Sequence, residues 1–185
     1  MEKCNICPRK CNTPRPAHIQ NAKGKCGMGT LPVVARASLH HWEEPCISGT
    51  NGSGTVFFSG CSLQCVYCQN SKISWGRFGK EISIEHLQNI YAQLIQQGAH
   101  NINLVNPTHF IKSIACSLSA PLPVPVVYNS SGYENVSSLK LLHGKVQIYL
   151  PDLKYADNSL AQRYSGAPDY FETACSAIEE MYKQV

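Results

Sequence analysis

From Thr55 onward, short apolar runs alternate with amphipathic stretches, the signature of βα units around a parallel sheet. Val56-Phe57-Phe58, after Gly52-Ser53-Gly54, predicts a buried strand that delivers Ser59-Gly60 to its C-terminal end. The next segment predicts a helix from Ser83, which can cap it. Ile82 and Leu87 are placed to staple its start, Ile84, Leu87, Tyr91, Leu94 and Ile95 share one face, and Gly98 stops it. Ile102-Asn-Leu-Val105 predicts a second strand, followed by a helix with Ile111, Ile114, Ala115 and Leu118 inward, broken by Pro121 and Pro123. Val124 to Tyr128 predicts a third strand, residues 134 to 143 a short helix ended by Gly144, and Val146 to Leu150 a fourth strand. A last helix has Pro168 near its first turn and Phe171, Ala174, Cys175, Ile178, Met181, Tyr182 and Val185 on one face.

Residues 1 to 50 differ: turn formers such as Pro8, Pro14, Gly24, Gly27 and Pro45 replace apolar periodicity, so this segment needs a staple other than a core. The chain divides into a Cys-rich, metal-binding segment, 1–50, and an α/β body, 51–185, of about four βα units, where a full barrel has eight. The pattern alone leaves both an open doubly wound sheet and a piece of a barrel.

Hydrophobic residues at 43% and charged residues at 15% fit a globular domain, and no run approaches the ~20 apolar residues of a membrane span. The start of the chain has no apolar segment after its charge, so a cytoplasmic location is expected, with no membrane partner. The net charge of +4 comes from basic residues scattered along the chain, which argues against nucleic acid as a partner. Ten cysteines without a secretory signal point to metal or redox chemistry rather than disulfides. Cys116 and Cys175, at apolar positions of expected helices, read as small buried hydrophobes.

Cys61-Ser-Leu-Gln-Cys65-Val-Tyr-Cys68 places three thiolates in one tight loop just beyond a strand, with no fourth cysteine nearby. Clusters usually take four thiolates, so three leave one iron of a 4Fe–4S cube open for chemistry. S-adenosylmethionine (SAM) suits such an iron: its amino and carboxylate groups can chelate it and bring the sulfonium into reach of one electron. The competing reading is a structural zinc site that borrows His109 or another Cys as fourth ligand.

The triad resembles the motif of the radical SAM superfamily, with Tyr67 at the aromatic position. The runs His41-Trp-Glu-Glu-Pro45, Ser48 to Cys61, Val66 to Asn70, Asn101 to Phe110 and Pro151-Asp-Leu-Lys-Tyr155 are similar to those of pyruvate formate-lyase activating enzyme-like proteins. The resemblance implies a partial TIM-type (β/α) barrel, here incomplete, with cluster and SAM at the C-terminal ends of the strands. It implies reductive cleavage of SAM to a 5′-deoxyadenosyl radical that takes hydrogen from a substrate, such as a glycine of a partner protein, and an electron donor such as flavodoxin or ferredoxin. It places Tyr67 beside the adenine and Asp152 and Lys154 at the methionyl part, with Asn129 and Ser130 near it. Where the family carries a Gly-Gly-Glu-type end of strand two, this chain has Asn106-Pro107-Thr108, so Asn106 or Thr108 is expected at the SAM ammonium with no carboxylate. The resemblance assigns no catalytic side chain. For Asp152 and Lys154 a plain exposed pair is the alternative.

Cys4, Cys7, Cys11 and Cys26 supply four further thiolates in a segment too polar to fold alone, suited to zinc or a second iron–sulfur cluster, with free thiols as the alternative. His40-His41-Trp42-Glu43-Glu44 suits acid–base chemistry or a structural link equally. Two further readings stand beside the enzyme: a zinc-bound binding module, and a truncated, inactive barrel whose open sheet edge favours self-association.

Overall fold

A computed structural model of the protein describes residues 3–185; Met1 and Glu2, part of the stretch read above for a leader, lie outside the described residues. Six strands form one sheet: β1 (Val33–His40), β2 (Ser53–Phe58), β3 (Lys80–Glu81), β4 (Ile102–Val105), β5 (Val126–Ser130) and β6 (Ile148–Pro151). Their order is β3-β1-β2-β4-β5-β6, with β2, β4, β5 and β6 parallel and β1 antiparallel to both β2 and β3. The four parallel strands are the four expected from the apolar runs. The sheet is mixed and open, with β3 and β6 as its edges, so the structure is α/β without the closure of a barrel.

β1 is an eight-residue strand that the apolar pattern did not reveal. A register shift between Val34 and Arg36 interrupts the alternation, and beyond Val34 the strand is half-buried or exposed. A bulged strand with one polar face carries little period-2 signal. β1 runs the length of β2, from Val34 opposite Phe58 to His40 opposite Ser53, so the sheet spans the boundary drawn at residue 50.

The α-helices are α1 (Pro45–Ser48), α2 (Ser71–Ser74), α3 (Ile84–Gln96), α4 (Ile111–Ser117), α5 (Val136–Leu139), α6 (Asn158–Ser165) and α7 (Tyr170–Gln184). The Ser83 hydroxyl caps α3 by accepting from the His86 amide at 3.1 Å, a contact of about 1 kcal/mol, and Leu87, Tyr91 and Leu94 bury its inner face. Val56, Phe58, Leu104 and Tyr128 from the strands meet Leu87, Tyr91, Ile111 and Ile114 from the helices in the main core. A second cluster of Leu63, Cys65, Tyr133, Tyr155, Tyr170 and Ala174 lies beneath the cysteine loop.

The buried face of α7 is Tyr170, Ala174, Ala177 and Met181, displaced by one position for much of its length from the expected face. Small alanines allow close packing on the core, which turns Cys175, Tyr182 and Val185 outward. Cys175 and Cys116 are therefore exposed, not buried. The inner face of α4 is set by Ile111, Ile114 and Ser117, and Cys116 falls outside it. No described helix is long and apolar enough to cross a membrane.

Candidate metal and cofactor site

The parallel strands end on a common rim. β2 runs out into Ser59-Gly60-Cys61, β4 into Asn106, β5 into Ser130-Ser131, and β6 into Asp152. Gly60 takes a φ of +79°, and a Cβ there would collide with the Cys26 carbonyl and the Met28 side chain. Only glycine permits this close approach of the N-terminal segment to the loop.

Inside the loop, the amides of Leu63 and Gln64 donate to Cys61 Sγ at 3.4 and 3.5 Å, and Gln64 itself takes a positive φ of 54°. Cys68 Sγ lies 3.4 Å from the Ser74 hydroxyl. Burial pushes the Cys61 thiol up, and the two amide donors oppose that shift. Backbone N–H groups aimed at sulfur stabilise a thiolate, which suits a metal-sulfur cluster.

Cys61, Cys65 and Cys68 line a cavity of about 700 Å³ at the ends of the parallel strands, large enough for a nucleoside-sized ligand. Most of the residues expected at SAM line it too. Tyr67 is 54% exposed and packs edge-on against Tyr155 and Tyr164, with ring centroids 6.1 and 6.4 Å away. Asn129 and Ser130 stand on its wall, as does the ion pair of Lys154 Nζ with Asp152 at 2.7 Å. Burial alone would lower Lys154; the adjacent Asp152 carboxylate outweighs it and holds the ammonium above its ordinary value. Asn106 lines the cavity but spends its amide on the Gly60 carbonyl at 2.6 Å.

The structure does not bring Thr108 into that wall. Thr108 is fully buried, and its hydroxyl donates to Glu134 at 2.5 Å. Glu134 is a buried carboxyl that burial pushes up to about 7, with the hydrogen bond from Thr108 opposing the shift. It left no trace in the sequence pattern, because one acidic residue between Tyr133 and Asn135 in a turn-rich stretch reads as surface.

Arg36 was not foreseen at the site, and the polar run from His40 to Glu44, suited by sequence to acid–base chemistry or a structural link, is brought to it. Arg36 and His40 from β1, Glu43 and Glu44 after it, and Ser131 line the same cavity. Burial raises Glu43, His40 opposes the shift, and the negative charges of Glu44 and Asp152 add to it. The Tyr170 hydroxyl lies 2.7 Å from the Ser131 carbonyl and 2.9 Å from the Asp152 carbonyl, and accepts from the Lys154 amide at 2.8 Å. This buried tyrosine holds the ends of β5 and β6 together. Arg9 donates to the carbonyls of Ser62, Leu63 and Ser165 at 2.7, 3.0 and 2.5 Å, and also to that of Gly166. It ties the N-terminal segment, the cysteine loop and the α6–α7 turn into one unit.

Cys4, Cys7, Cys11 and Cys26 line a separate small cavity together with Arg15, Lys23 and His109. Arg15 Nη1 lies 3.7 Å from Cys4 Sγ and 3.8 Å from Cys26 Sγ, and the Lys25 amide donates to Cys11 Sγ at 3.3 Å. Burial pushes the Cys7 thiol up to about 12. His109 donates from Nε2 to the Ser59 carbonyl at 2.7 Å, and burial beside Arg15 pulls it down to about 3, so it is neutral. Its Nδ1 has no partner among the described residues. His109 borders the N-terminal cysteines and is not part of the wall around Cys61 to Cys68.

Among the described residues no group of three or more His, Cys, Asp or Glu is arranged to hold a single metal ion. Three thiolates that each bind a different iron of a cube do not need to meet at one point, so the Cys61–Cys68 loop fits a cluster. A single zinc among the N-terminal cysteines would need their sulfurs drawn closer to it.

Residues 47–115 match the family model of a 4Fe-4S single cluster domain, a span that contains the three-cysteine loop. Over 181 residues the chain is 32% identical to an uncharacterized protein of Methanocaldococcus jannaschii, in an alignment covering 93% of this chain and 51% of that protein. The chain therefore spans about half the length of the curated relative it matches. Taken together, the match and the loop geometry support an iron–sulfur cofactor in this segment, which is similar to 4Fe-4S single cluster domains.

Proposed function

We propose that this chain holds the cluster and most of the SAM site of a radical SAM protein of the pyruvate formate-lyase activating enzyme-like kind. The observation that carries the reading is the shared wall: Cys61, Cys65 and Cys68 line one cavity with Tyr67, Asn129, Ser130, Asp152 and Lys154. With a cluster held by Cys61, Cys65 and Cys68 and SAM seated against this wall, the bound cofactors would supply one-electron reductive cleavage of SAM and hydrogen abstraction from a substrate.

The residues of this chain supply the positioning. The three thiolates hold the cluster at the strand ends. Tyr67 offers a ring face to the adenine. Lys154 Nζ suits the SAM carboxylate and Asp152 the SAM ammonium, opposite charges already paired at 2.7 Å. Ser130 and the buried Ser131 hydroxyl, without a hydrogen-bond partner among the described residues, add neutral contacts. Arg36, His40, Glu43 and Glu44 face the remaining space and are the candidates for substrate contact. A glycine-bearing protein segment is the proposed substrate, and flavodoxin or ferredoxin the proposed donor.

Anaerobic reconstitution followed by iron and sulfide counting and EPR with and without SAM tests this reading. The expected result is a 4Fe–4S signal that changes on adding SAM and is lost in Cys61→Ala, Cys65→Ala and Cys68→Ala. Wild-type iron content in all three variants would sink it.

A second reading, SAM binding with little coupled turnover by these residues alone, is favoured by the open edge at β6. An open cavity leaves a radical accessible to water and side reactions. Deuterium transfer from a defined substrate into 5′-deoxyadenosine by this chain would overturn that second reading.

A further inference from the structure

We propose that the free edge of β1 takes up an extended peptide segment of a partner protein by strand addition and lays it along the cavity lined by Cys61, Cys65 and Cys68. The inference rests on the reading above in treating that segment as the substrate. Its own support is the unpaired backbone of β1 and the charges at its two ends.

β1 spans Val33–His40, but β3 pairs only with Val33 and Val34, so the outer edge from Ala35 to His40 meets no described strand. The direction of its free groups follows from β2. The Gly54 amide donates to the Asn101 carbonyl, which turns Gly54 toward β4, and the Ser59 amide donates to the Val33 carbonyl on β1. Alternation then directs Ser53, Thr55 and Phe57 toward their partners His40, Ser38 and Arg36, and leaves the amides and carbonyls of Ala37 and Leu39 pointing away from β2. No hydrogen bond reaches these groups from another described residue. Sheet edges are commonly blunted by Lys, Pro, a bulge or a covering segment. Here Ala37 is small and exposed, and the bulge between Val34 and Arg36 lies at one end of the free stretch.

This edge borders the cavity. Arg36 and His40 from β1, and Trp42, Glu43 and Glu44 after it, line the cavity together with the three cysteines. Val34 lies opposite Phe58, at the end of β2 that leads into the cysteine loop, and His40 lies opposite Ser53 at the far end. A strand added to β1 would run about 10 Å from β2, two strand spacings, with every second side chain turned to the cavity. The two ends carry opposite charge. Arg36 and Lys80, both exposed and neither in an ion pair with a described carboxylate, stand toward the loop end, and Glu43 and Glu44 follow the far end. Exposed rings mark the same ends, Phe78 at 66% beside β3 and Trp42 at 90% after β1. The fitting occupant is an extended segment antiparallel to β1, with a basic residue at its start and an acidic residue at its end. Main-chain bonds supply its affinity, and charge complementarity fixes its direction and register.

The probe is the peptide acetyl-Lys-Thr-Val-Gly-Val-Thr-Asp-amide, titrated into the reconstituted protein by calorimetry. Methylating the backbone nitrogens of one alternate set of its residues is expected to weaken binding by about 10-fold or more, and methylating the other set to change it by less than about 2-fold, because only one set faces β1. Exchanging the terminal Lys and Asp of the peptide should also weaken binding. Ala37→Pro removes an outward amide and spares the bonds to β2, so it should lower affinity by about 10-fold with iron content unchanged. If Ala37→Pro does not fold, the methylated peptides decide the question on the wild-type protein. No binding of the parent peptide, equal loss from the two methylation sets, or full affinity in Ala37→Pro would overturn the proposal. So would a wild-type dimer that Ala37→Pro dissociates, since a second copy would then cover the edge. Absence of a SAM-responsive cluster alongside binding that follows the methylation pattern would sink the cluster reading and leave the docking edge standing; a SAM-responsive cluster without peptide binding would do the reverse.

Discussion

Asn106 Nδ2 donates to the Gly60 carbonyl at 2.6 Å, tying the end of β4 to the residue just before Cys61. Asn106 reaches it from a left-handed backbone with φ of 58°, a conformation asparagine tolerates better than most residues. Asn106→Gly keeps the backbone and removes the bond, with an expected loss of about 1 kcal/mol and weaker iron retention. Asn106→Ala should cost about 1 kcal/mol more, because its Cβ opposes the positive φ without compensation. Equal stability of the two variants in urea unfolding would refute the backbone argument.

Cys7→Ser tests whether the N-terminal cysteines form a metal site of their own. Zinc, or the iron of a second cluster, is expected to fall in the variant, with the SAM-responsive EPR signal largely intact. Joint loss of both would mean that the two cysteine groups make one site.

Arg9→Met removes the guanidinium that serves four carbonyls on two distant segments. Since partly buried carbonyls are left with fewer donors, a loss of about 2–4 kcal/mol is expected in urea unfolding of the metal-free protein. Arg9→Lys should fall between the two, because an ammonium lacks the planar fork. A change within about 0.5 kcal/mol, the range of ordinary surface substitutions, would show that the clamp is dispensable.

Glu134 gives a pH dependence of definite sign. Its folded-state value, raised to about 7 by burial, exceeds that of the unfolded chain, so the native state binds the extra proton between about 4.5 and 7. The wild type should therefore lose stability as pH rises through that window, by on the order of 3 kcal/mol at most, relative to Glu134→Gln. Urea unfolding of both proteins at pH 5 and pH 8, without metal, measures the difference. A difference that stays flat across the window would remove Glu134 as a buried neutral acid.

The four parallel strands, the helix capped by Ser83 and the three-cysteine loop could all be read from the chain, because each is written in a contiguous stretch. A periodic apolar face, a cap and a C-x3-C-x2-C spacing depend on neighbours within a few turns of chain. Tertiary structure decided the rest. β1 became a strand by pairing with β2 despite a bulge that disrupts its alternation. Thr108 left the cavity wall because Glu134 offered a buried acceptor, and α7 turned by one position so that Ala174 and Ala177 could pack closely. Arg9 and Gly166 meet only when the chain has folded, as do Gln64 and the Lys25 carbonyl. Such contacts join residues far apart in sequence, and a hydrogen bond or a shared charge field across that distance leaves no period in either segment.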